Sequence, residues 1–542
     1  MESIEGGTAL SNRNSGPFEA SSWIRHGTVA TGAAIVLVAL IGVFFFRFSA
    51  GPGYPLDDSW IHLAFARHLA EGHGFGVNPG QASTGATSPL WALLLTAGFL
   101  FGPVHNTWPW ILAAVVLGGA GLAAAWVTAE LRARDAGVSA GLWGPCAAGL
   151  LVAASPAMVW SAAGAMEVPL FTALLLSAWA MHARARRRSL RLSTWGIPAG
   201  LAVLARPEGL LFAVLLGLTS RPRKAARNLI ITAALCAPWP VYCLIVSGRP
   251  LPGTFYAKTT SAFVGLPDFA YAARSLHLVW QIAAPLCVLF LIGAIWKLGG
   301  MLSSGGQTAE SGPGERTTWL TLLPGLLFPF ALILSYSLMG RNYLFAILPG
   351  NYGRYVYPAL PFLAIIGTWG LTSIRTGGMG GRGWGSRAGS AVLALLVIWN
   401  TVQCVGHADL YAHNVRDINS MQVGMATRLE RRLPPESWVA ANDVGALAYL
   451  TDLRVLDLVG IVSPEVQEAL FPLRGMENPP REATLLRVIS ERQPAGIAVF
   501  PNWYPNILKT LGPRLEPIEE IYVPDNITSG GHRLVAYRVH WH

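Results

Sequence analysis

The chain has 542 residues, of which 52% are hydrophobic and only 13% charged, a balance that excludes an ordinary soluble domain. Its net charge of +10 would suit a nucleic-acid binder if the bases formed one patch. Instead they cluster in short loops (Arg184, Arg186, Arg187, Arg188 and Arg191; Arg221, Arg223, Lys224 and Arg227; Arg375, Arg382 and Arg387), the pattern of loops retained on the cytoplasmic side of a membrane.

Residues 1–27 are polar, and no small-residue cleavage site follows them. They predict a cytoplasmic tail and a retained first helix over about 28–47. Apolar runs then recur to about Gln403, rich in Leu and Ala and without strand-like alternation, so they predict helices of roughly 20 residues each rather than barrel strands. The first helix delivers an external loop, 48–90, and residues 168–182 return to the arginine-rich loop. The stretch Trp195–Thr219 starts and ends beside cytoplasmic arginines. Its only polar break is Arg206-Pro207-Glu208-Gly209, which predicts two short helices with Arg206 and Glu208 at their outer tip.

Residues 228–247 then exit, 276–297 return, and 302–316 form a Gly/Ser-rich linker. Helices near 318–338, 355–374 and 389–406 deliver the remainder outside. One conflict of parity stands. A full crossing by 88–102 would put the arginine loops outside, so either that segment is partial or two helices are merged between 104 and 167. The expected total is about eleven to thirteen passes.

All five cysteines (Cys146, Cys236, Cys243, Cys287, Cys404) fall in apolar runs, and no disulfide framework or metal motif is visible. Beyond about Ala408 the character changes. SWVAANDVGALAYL, RVLDLVGIV, AGIAVF and RLVAYRVH read as strands, and EATLLRVISER has helical periodicity. The expected organisation is thus a tail over 1–27, a transmembrane domain over 28–407 and an extracytoplasmic α/β domain over 408–542. Asn526-Ile527-Thr528 matches a glycosylation sequon, a pattern with meaning only in a eukaryotic secretory route.

The unusual polar residues converge on the external face: Asp57, Asp58 and His62 in the first loop, Glu167 in AGAMEVPLF, Arg206 and Glu208, Lys258 in GRPLPGTFYAK, and Arg354 in NYGRYVYPALP. Ionised groups so close to hydrocarbon are costly unless they are used. Carboxylates could accept a proton from an attacking hydroxyl, and cations could neutralise a departing phosphate. A surface helix from Asp57 would put Asp58, His62, Phe65 and Leu69 on one face. The bland readings are a helix cap for Asp58, interfacial anchoring for Lys258, and a structural ion pair of Arg206 with Glu208 or Glu167.

DDSWIHLAFARHLAEGHGFGVNPG followed by SPLW resembles the first external loop of GT-C fold, polyprenyl-phosphate-sugar-dependent membrane glycosyltransferases, above all bacterial arabinofuranosyltransferase-like members. AMEVPLF, LARPEGLLF, GRPLPGTFYAK, GRYVYPALP and NDVGALAYLTDLRVLDLVG are similar to that group in order and spacing. Ser59-Trp60 departs from the usual Ala-Tyr or Ala-Phe, and Ser88 stands where Asn precedes Pro-Leu-Trp. The resemblance implies a catalytic Asp in the first loop, here Asp57 or Asp58, and a lipid-phosphate donor held between outer loops and helices.

The expectation is therefore a multi-pass inner-membrane glycosyltransferase of GT-C-like α-helical fold. It would transfer a sugar, a pentofuranose such as arabinofuranose by the resemblance, to a glycan, lipid or protein acceptor at the external face. Asp57 or Asp58 would act as base, with Arg206, Arg354 and Lys258 on the donor phosphate and His62, Glu167 and Glu208 in support. No nucleic acid is an expected partner and no cofactor is expected; without a DxD spacing, nothing in the sequence indicates a divalent metal. The alternative is a transporter or an export or polymerisation protein of envelope polysaccharide, which would bury charges at the bilayer midplane between broken helices.

Overall fold

A computed structural model describes residues 17–100, 107–133, 142–190, 194–258, 267–304, 313–338, 353–373, 384–476 and 479–541. Arg191, Arg375, Arg382 and most of the expected linker at 302–316 lie outside them. Six described helices are long and apolar enough to cross a membrane, or seven if one bent pair counts as a span, so the chain is a multi-pass membrane protein. The eleven to thirteen passes expected from the sequence drew on shorter segments as well, such as Gly196–Ala205 and Gly209–Leu218.

The first helix, Pro17–Ala50, begins inside the stretch expected to be a tail. A 14-residue surface helix, Asp57–Ala70, follows it. The parity conflict resolves on its first branch. Pro89–Phe99 has only 11 residues, about 16 Å of helix, too short to cross. Two segments stand between 107 and 167: the helix Trp108–Arg132, and the pair Trp143–Ala153 and Pro156–Ala163, bent by 49°. Counted as two crossings, they leave Glu167 on the same side as the surface helix, and Val168–Arg187 then returns to the arginine-rich loop.

The turn that ends Pro156–Ala163 leaves carbonyls that need donors, and side chains from elsewhere in the chain supply them. Ala163 O accepts from Trp110 Nε1 and the Tyr411 hydroxyl, both at 2.9 Å; Gly164 O accepts from Ser59 Oγ at 2.7 Å; Ala165 O accepts from Trp91 Nε1 at 2.8 Å. Ser59, where the first-loop sequence departs from the pattern it resembles, thus ties the surface helix to that turn. Val168–Arg187 runs on from there, with Glu167 just ahead of its first turn.

At the other end of these helices the basic loops meet. Arg186 donates to the Thr219 carbonyl, and Lys224 Nζ to Leu190 O at 2.6 Å. The expected break at 206–208 is present between Gly196–Ala205 and Gly209–Leu218. Pro222–Cys236 and Pro238–Ser247 form one span, Gly253–Lys258 is a short helix, and Phe269–Ser304 kinks at Ala283 ahead of Pro285. Gly293 and Gly367 let this last helix lie against Leu360–Ser373; a Cβ on Gly293 would stand 2.8 Å from Ile366 O.

The boundary expected at 407/408 is no break in the backbone. Trp384–Ile418 runs through it and continues by a π-helical turn, Asn419–Val423, into Gly424–Arg432. The tail carries a five-stranded sheet of order β2-β1-β3-β5-β4. Its strands are β1 (Trp438–Ala441), β2 (Arg454–Asp457), β3 (Gly496–Val499), β4 (Leu515–Tyr522) and β5 (Arg533–Val539). β1 pairs with β2 and β3 in parallel, while β5 is antiparallel to β3 and β4. Two sequence expectations are corrected here. SWVAANDVGALAYL is β1 followed by a helix, Gly445–Leu450, and β4 was not foreseen, because LEPIEEIY carries Pro and three acids on an outer strand.

The first loop clamps this sheet to the membrane part. Asn78 acts as a pseudo-strand beside β2: its Nδ2 donates to Val455 O at 2.9 Å and its Oδ1 accepts from Val455 N at 2.8 Å. Ser83 Oγ donates to Val462 O at 2.6 Å, and Arg67 Nη1 to Tyr449 O at 2.5 Å. Gly445 packs directly on the backbone of Asp57, and a Cβ there would stand 2.7 Å from Ile61 N.

Gly445→Ala should therefore push the tail off the surface helix at a cost of roughly 2 kcal/mol, the usual scale for overpacking. Thermal unfolding and limited proteolysis of the purified protein would measure it. A variant as stable and as protease-resistant as the parent would contradict this account of the contact.

Candidate active site

A cavity of about 900 Å³ lies between the tail and the loops of the membrane part that carry Asp57, Lys258 and Arg354. Its tail wall is built from the ends of parallel strands: Asn442 and Asp443 after β1, Asp457 and Val459 at the end of β2, Trp503 and Tyr504 after β3. Carboxyl ends of parallel strands are where an open sheet leaves free backbone and loop groups for a ligand. The opposite wall carries Asp57, Asp58, Lys258, Arg354 and Tyr355. Sequence reasoning missed the tail wall. Asp443 stands in an ordinary-looking Asn-Asp-Val turn, and only its position just past a parallel strand could have flagged it.

The two adjacent acids differ in employment. Both Asp57 oxygens accept backbone N–H groups at the start of Gly445–Leu450, Oδ2 from Gly445 at 2.7 Å and Oδ1 from Ala446 at 2.9 Å. Asp57 is thus a cap, but for a helix of the tail rather than its own. Burial pushes its carboxyl upward, and the nearby Asp443 charge adds to this; the two N–H bonds work the other way and do not offset it. Asp443, also raised chiefly by burial, is held by Gln422 Nε2 at 2.7 Å. Gln422 projects from the π-helical turn and also meets Ser529 Oγ at 3.0 Å.

Asp58 faces the cations. Its Oδ2 is 2.5 Å from Arg354 Nη2, and its side chain is 30% exposed to the cavity. Burial opposes ionisation of Asp58, but the charges of Arg354 and Lys258 and the Arg354 hydrogen bond outweigh it and hold the carboxyl well below the usual range. Arg354 Nη1 is buried and has no hydrogen-bond partner among the described residues. Tyr355 joins the cations: its hydroxyl accepts from Lys258 Nζ and from Arg354 Nη2, each at 3.5 Å. Such a corner, with a buried free donor between two cations and a phenol, suits an anion.

Four other expected site residues form a separate cluster behind Tyr355. Arg206 Nη1 donates to Glu167 Oε1 at 2.6 Å, and its Nη2 to Glu208 Oε1 at 3.0 Å. His62 Nε2 lies 3.4 Å from Glu167 Oε2. Arg206, expected at the outer tip of the broken helix pair and on the donor phosphate, stands at the break but is corrected as a phosphate contact: it is 3% exposed, is not on the cavity wall, and its nitrogens are engaged by Glu167 and Glu208, the ion pairing that the sequence offered as the alternative. His62 does share the Asp58 face of the surface helix, as expected. The sequon is used locally, since Asn526 Nδ2 donates to Ser529 O and Gly531 O and shapes the turn at the cavity rim. Among the described residues, His68, Glu71 and His73 form a metal-like group with ligand atoms within 4.8 Å of one another. That group is off the cavity wall, and Arg67 Nε already takes Glu71 at 3.1 Å.

Residues 411–537 match a family described as "Domain of unknown function (DUF8728)". No curated protein matches the chain. Among solved structures, ArnT from Cupriavidus metallidurans bound to undecaprenyl phosphate aligns with a TM-score of 0.58 at 14% identity, over 96% of this chain and 98% of that one. The archaeal oligosaccharyltransferase AglB from Archaeoglobus fulgidus, in complex with an inhibitory peptide and a dolichol-phosphate, aligns with a TM-score of 0.55 at 12% identity, over 88% of this chain and 70% of that one. These likenesses show the GT-C fold.

The Asp57–Asp443 pair sets a pH dependence. With carboxyl pKa values raised by folding, the native state binds more protons than the unfolded state above about pH 4, so stability falls as the pH is raised from there towards neutrality. Asp443→Asn should flatten that slope, as followed by melting temperature against pH. A slope of the opposite sign in the parent protein would refute the assignment.

Proposed function

We propose that the protein is a glycosyltransferase that moves a sugar from a polyprenyl-phosphate carrier to an acceptor hydroxyl inside this cavity. The observation that carries the reading is the anion corner, with buried Arg354 Nη1 free, Lys258 and Tyr355 beside it, and Asp58 adjacent, at the junction of membrane helices and tail. The two structural neighbours hold undecaprenyl phosphate and a dolichol-phosphate, which supports a lipid phosphate in the corresponding role here.

The chemistry follows from the charges. The donor phosphate enters the corner and takes hydrogen bonds from Arg354 and Lys258. In doing so it competes with Asp58 for the guanidinium. Asp58 loses the partner that suppresses its basicity and becomes able to take a proton. The acceptor oxygen attacks the anomeric carbon and its proton passes to Asp58. The bond from that carbon to the phosphate oxygen breaks, and the polyprenyl phosphate leaves with the electron pair. Lys258 and Arg354 meet the developing charge, so the scheme calls for no cofactor. Asp57 is assigned to holding the tail rather than to proton transfer.

The basic loops at the far end of the helices favour a cytoplasmic location for that end. This puts the cavity and the 408–542 tail on the external face of the inner membrane, where the carrier rather than a nucleotide would bring the sugar. A pentofuranose such as arabinofuranose as the sugar, and an envelope glycan, lipid or protein as the acceptor, rest on the resemblance of the first-loop sequence.

Purified protein should transfer sugar from a polyprenyl-phosphate-sugar and not from the matching nucleotide sugar; transfer from the nucleotide sugar without a lipid carrier would sink the reading. Asp58→Asn should lower kcat by at least about a hundredfold with the protein still folded, the range for loss of a general base. Arg354→Ala should raise the donor KM more than the acceptor KM, with Arg354→Lys recovering part of the loss. Full activity in the Asp58 variant would remove it from proton transfer.

A further inference from the structure

The Arg206 cluster is the most heavily bonded buried charge group described in the membrane part, and the scheme above gives it no task. All three guanidinium nitrogens donate: Nη1 to Glu167 at 2.6 Å, Nε and Nη2 to the two oxygens of Glu208 at 3.3 and 3.0 Å, and Nη2 also to the Tyr336 hydroxyl at 2.9 Å. The Tyr336 hydroxyl in turn donates to Glu208. Spending two buried carboxylates and a phenol on one cation is a costly way to stabilise a bundle, since apolar residues of similar volume usually do as well or better. What such a group does supply is a fixed direction.

Two contacts lead from it to the cavity. The Arg206 guanidinium carbon lies 5.3 Å from the centroid of the Tyr355 ring, and the Tyr336 ring meets the same ring edge-on at 5.4 Å. Tyr355 is thus seated from behind by Arg206 and Tyr336, while its hydroxyl faces Lys258 and Arg354. A third contact runs the other way, through Glu167 to His62, one turn along the surface helix from Asp58.

We infer that Arg206, Glu208 and Tyr336 are positioning residues: they fix the Tyr355 phenol, and through it the spacing of Lys258 and Arg354, at the geometry that receives the lipid phosphate. The inference rests on the reading of that corner as a phosphate site. It reassigns Arg206 from touching the phosphate to holding the residue that does.

A thermodynamic cycle tests it without requiring turnover. The probe is undecaprenyl phosphate, titrated into the purified full-length protein in detergent, and the variants are Tyr336→Phe, Tyr355→Phe and the two together. Tyr336→Phe keeps the ring that packs on Tyr355 and removes only the hydroxyl, so it should still fold, with a lowered melting temperature because Glu208 loses a donor. If the cluster acts through Tyr355, Tyr336→Phe should weaken binding roughly tenfold in the parent background and have almost no further effect once the Tyr355 phenol is gone. Arg206→Lys, which retains the charge but not the fork, should behave in the same non-additive way. Additive losses, or no loss from Tyr336→Phe, would overturn the inference while leaving the phosphate site standing. No binding of the probe to the parent protein would overturn both.

Discussion

The cavity depends on one carboxylate that joins two bodies. Asp57 is the first residue of the surface helix, and its two oxygens accept the first N–H groups of the tail helix Gly445–Leu450. A helix of six residues has little stability of its own, so the tail contributes a short, weak element whose exposed donors are completed only by docking. Around that joint the remaining clamps are also polar and satisfied in pairs: Asn78 on β2, Ser83 on Val462, Arg67 on Tyr449. Most of the directed bonding at this seam comes from the first loop, and it brings Asp58 and Asp443 to facing walls.

Burial does different work on the two sides of the cavity. Around Asp58 the cations Arg354 and Lys258 outweigh burial, so Asp58 stays ionised, and among the described residues Arg354 keeps an unused donor. Where Asp57 meets the tail wall and Asp443, no described cation is bonded to either acid, and removal from water favours their protonated forms. The charge gradient across the cavity is set by which loops supply arginine and lysine. It suits a substrate whose anionic end enters from the membrane and whose uncharged, hydroxyl-rich end reaches the tail.

Much of the membrane architecture was legible in the sequence because a bilayer imposes long apolar runs and sorts arginine by side. The break at Arg206-Pro207-Glu208 could be read from Pro and Gly within an otherwise apolar stretch, and the shared face of Asp58 and His62 from helical spacing. The pairing of Arg206 with Glu208 or Glu167 was one of the readings the sequence allowed, and both pairs are present. Its seat behind Tyr355 could not be read, because Tyr336 and Tyr355 come from distant segments. Asp443 was invisible for the same reason. A turn acquires chemistry only when folding lays it opposite another wall. The turn at Ala163–Ala165 was not legible either, since its carbonyls are satisfied by donors from Ser59, Trp91, Trp110 and Tyr411, all distant in sequence.

The long helix that enters the tail makes the height of the cavity a property of the chain. Trp384–Ile418 spans 35 residues, roughly 50 Å, against a hydrocarbon thickness of about 30 Å, and continues through the π-helical turn that presents Gln422 to Asp443. With no described hinge between its membrane stretch and that turn, the helix acts as a gauge rod. A thicker or thinner bilayer has to be met by tilting it. Tilt at the lower end swings the wall bearing Asp443 and Ser529, while Arg354 stays with the other helices. Lipid composition would then adjust the width of the gap between the two walls of the cavity, with no ligand bound and no residue changed.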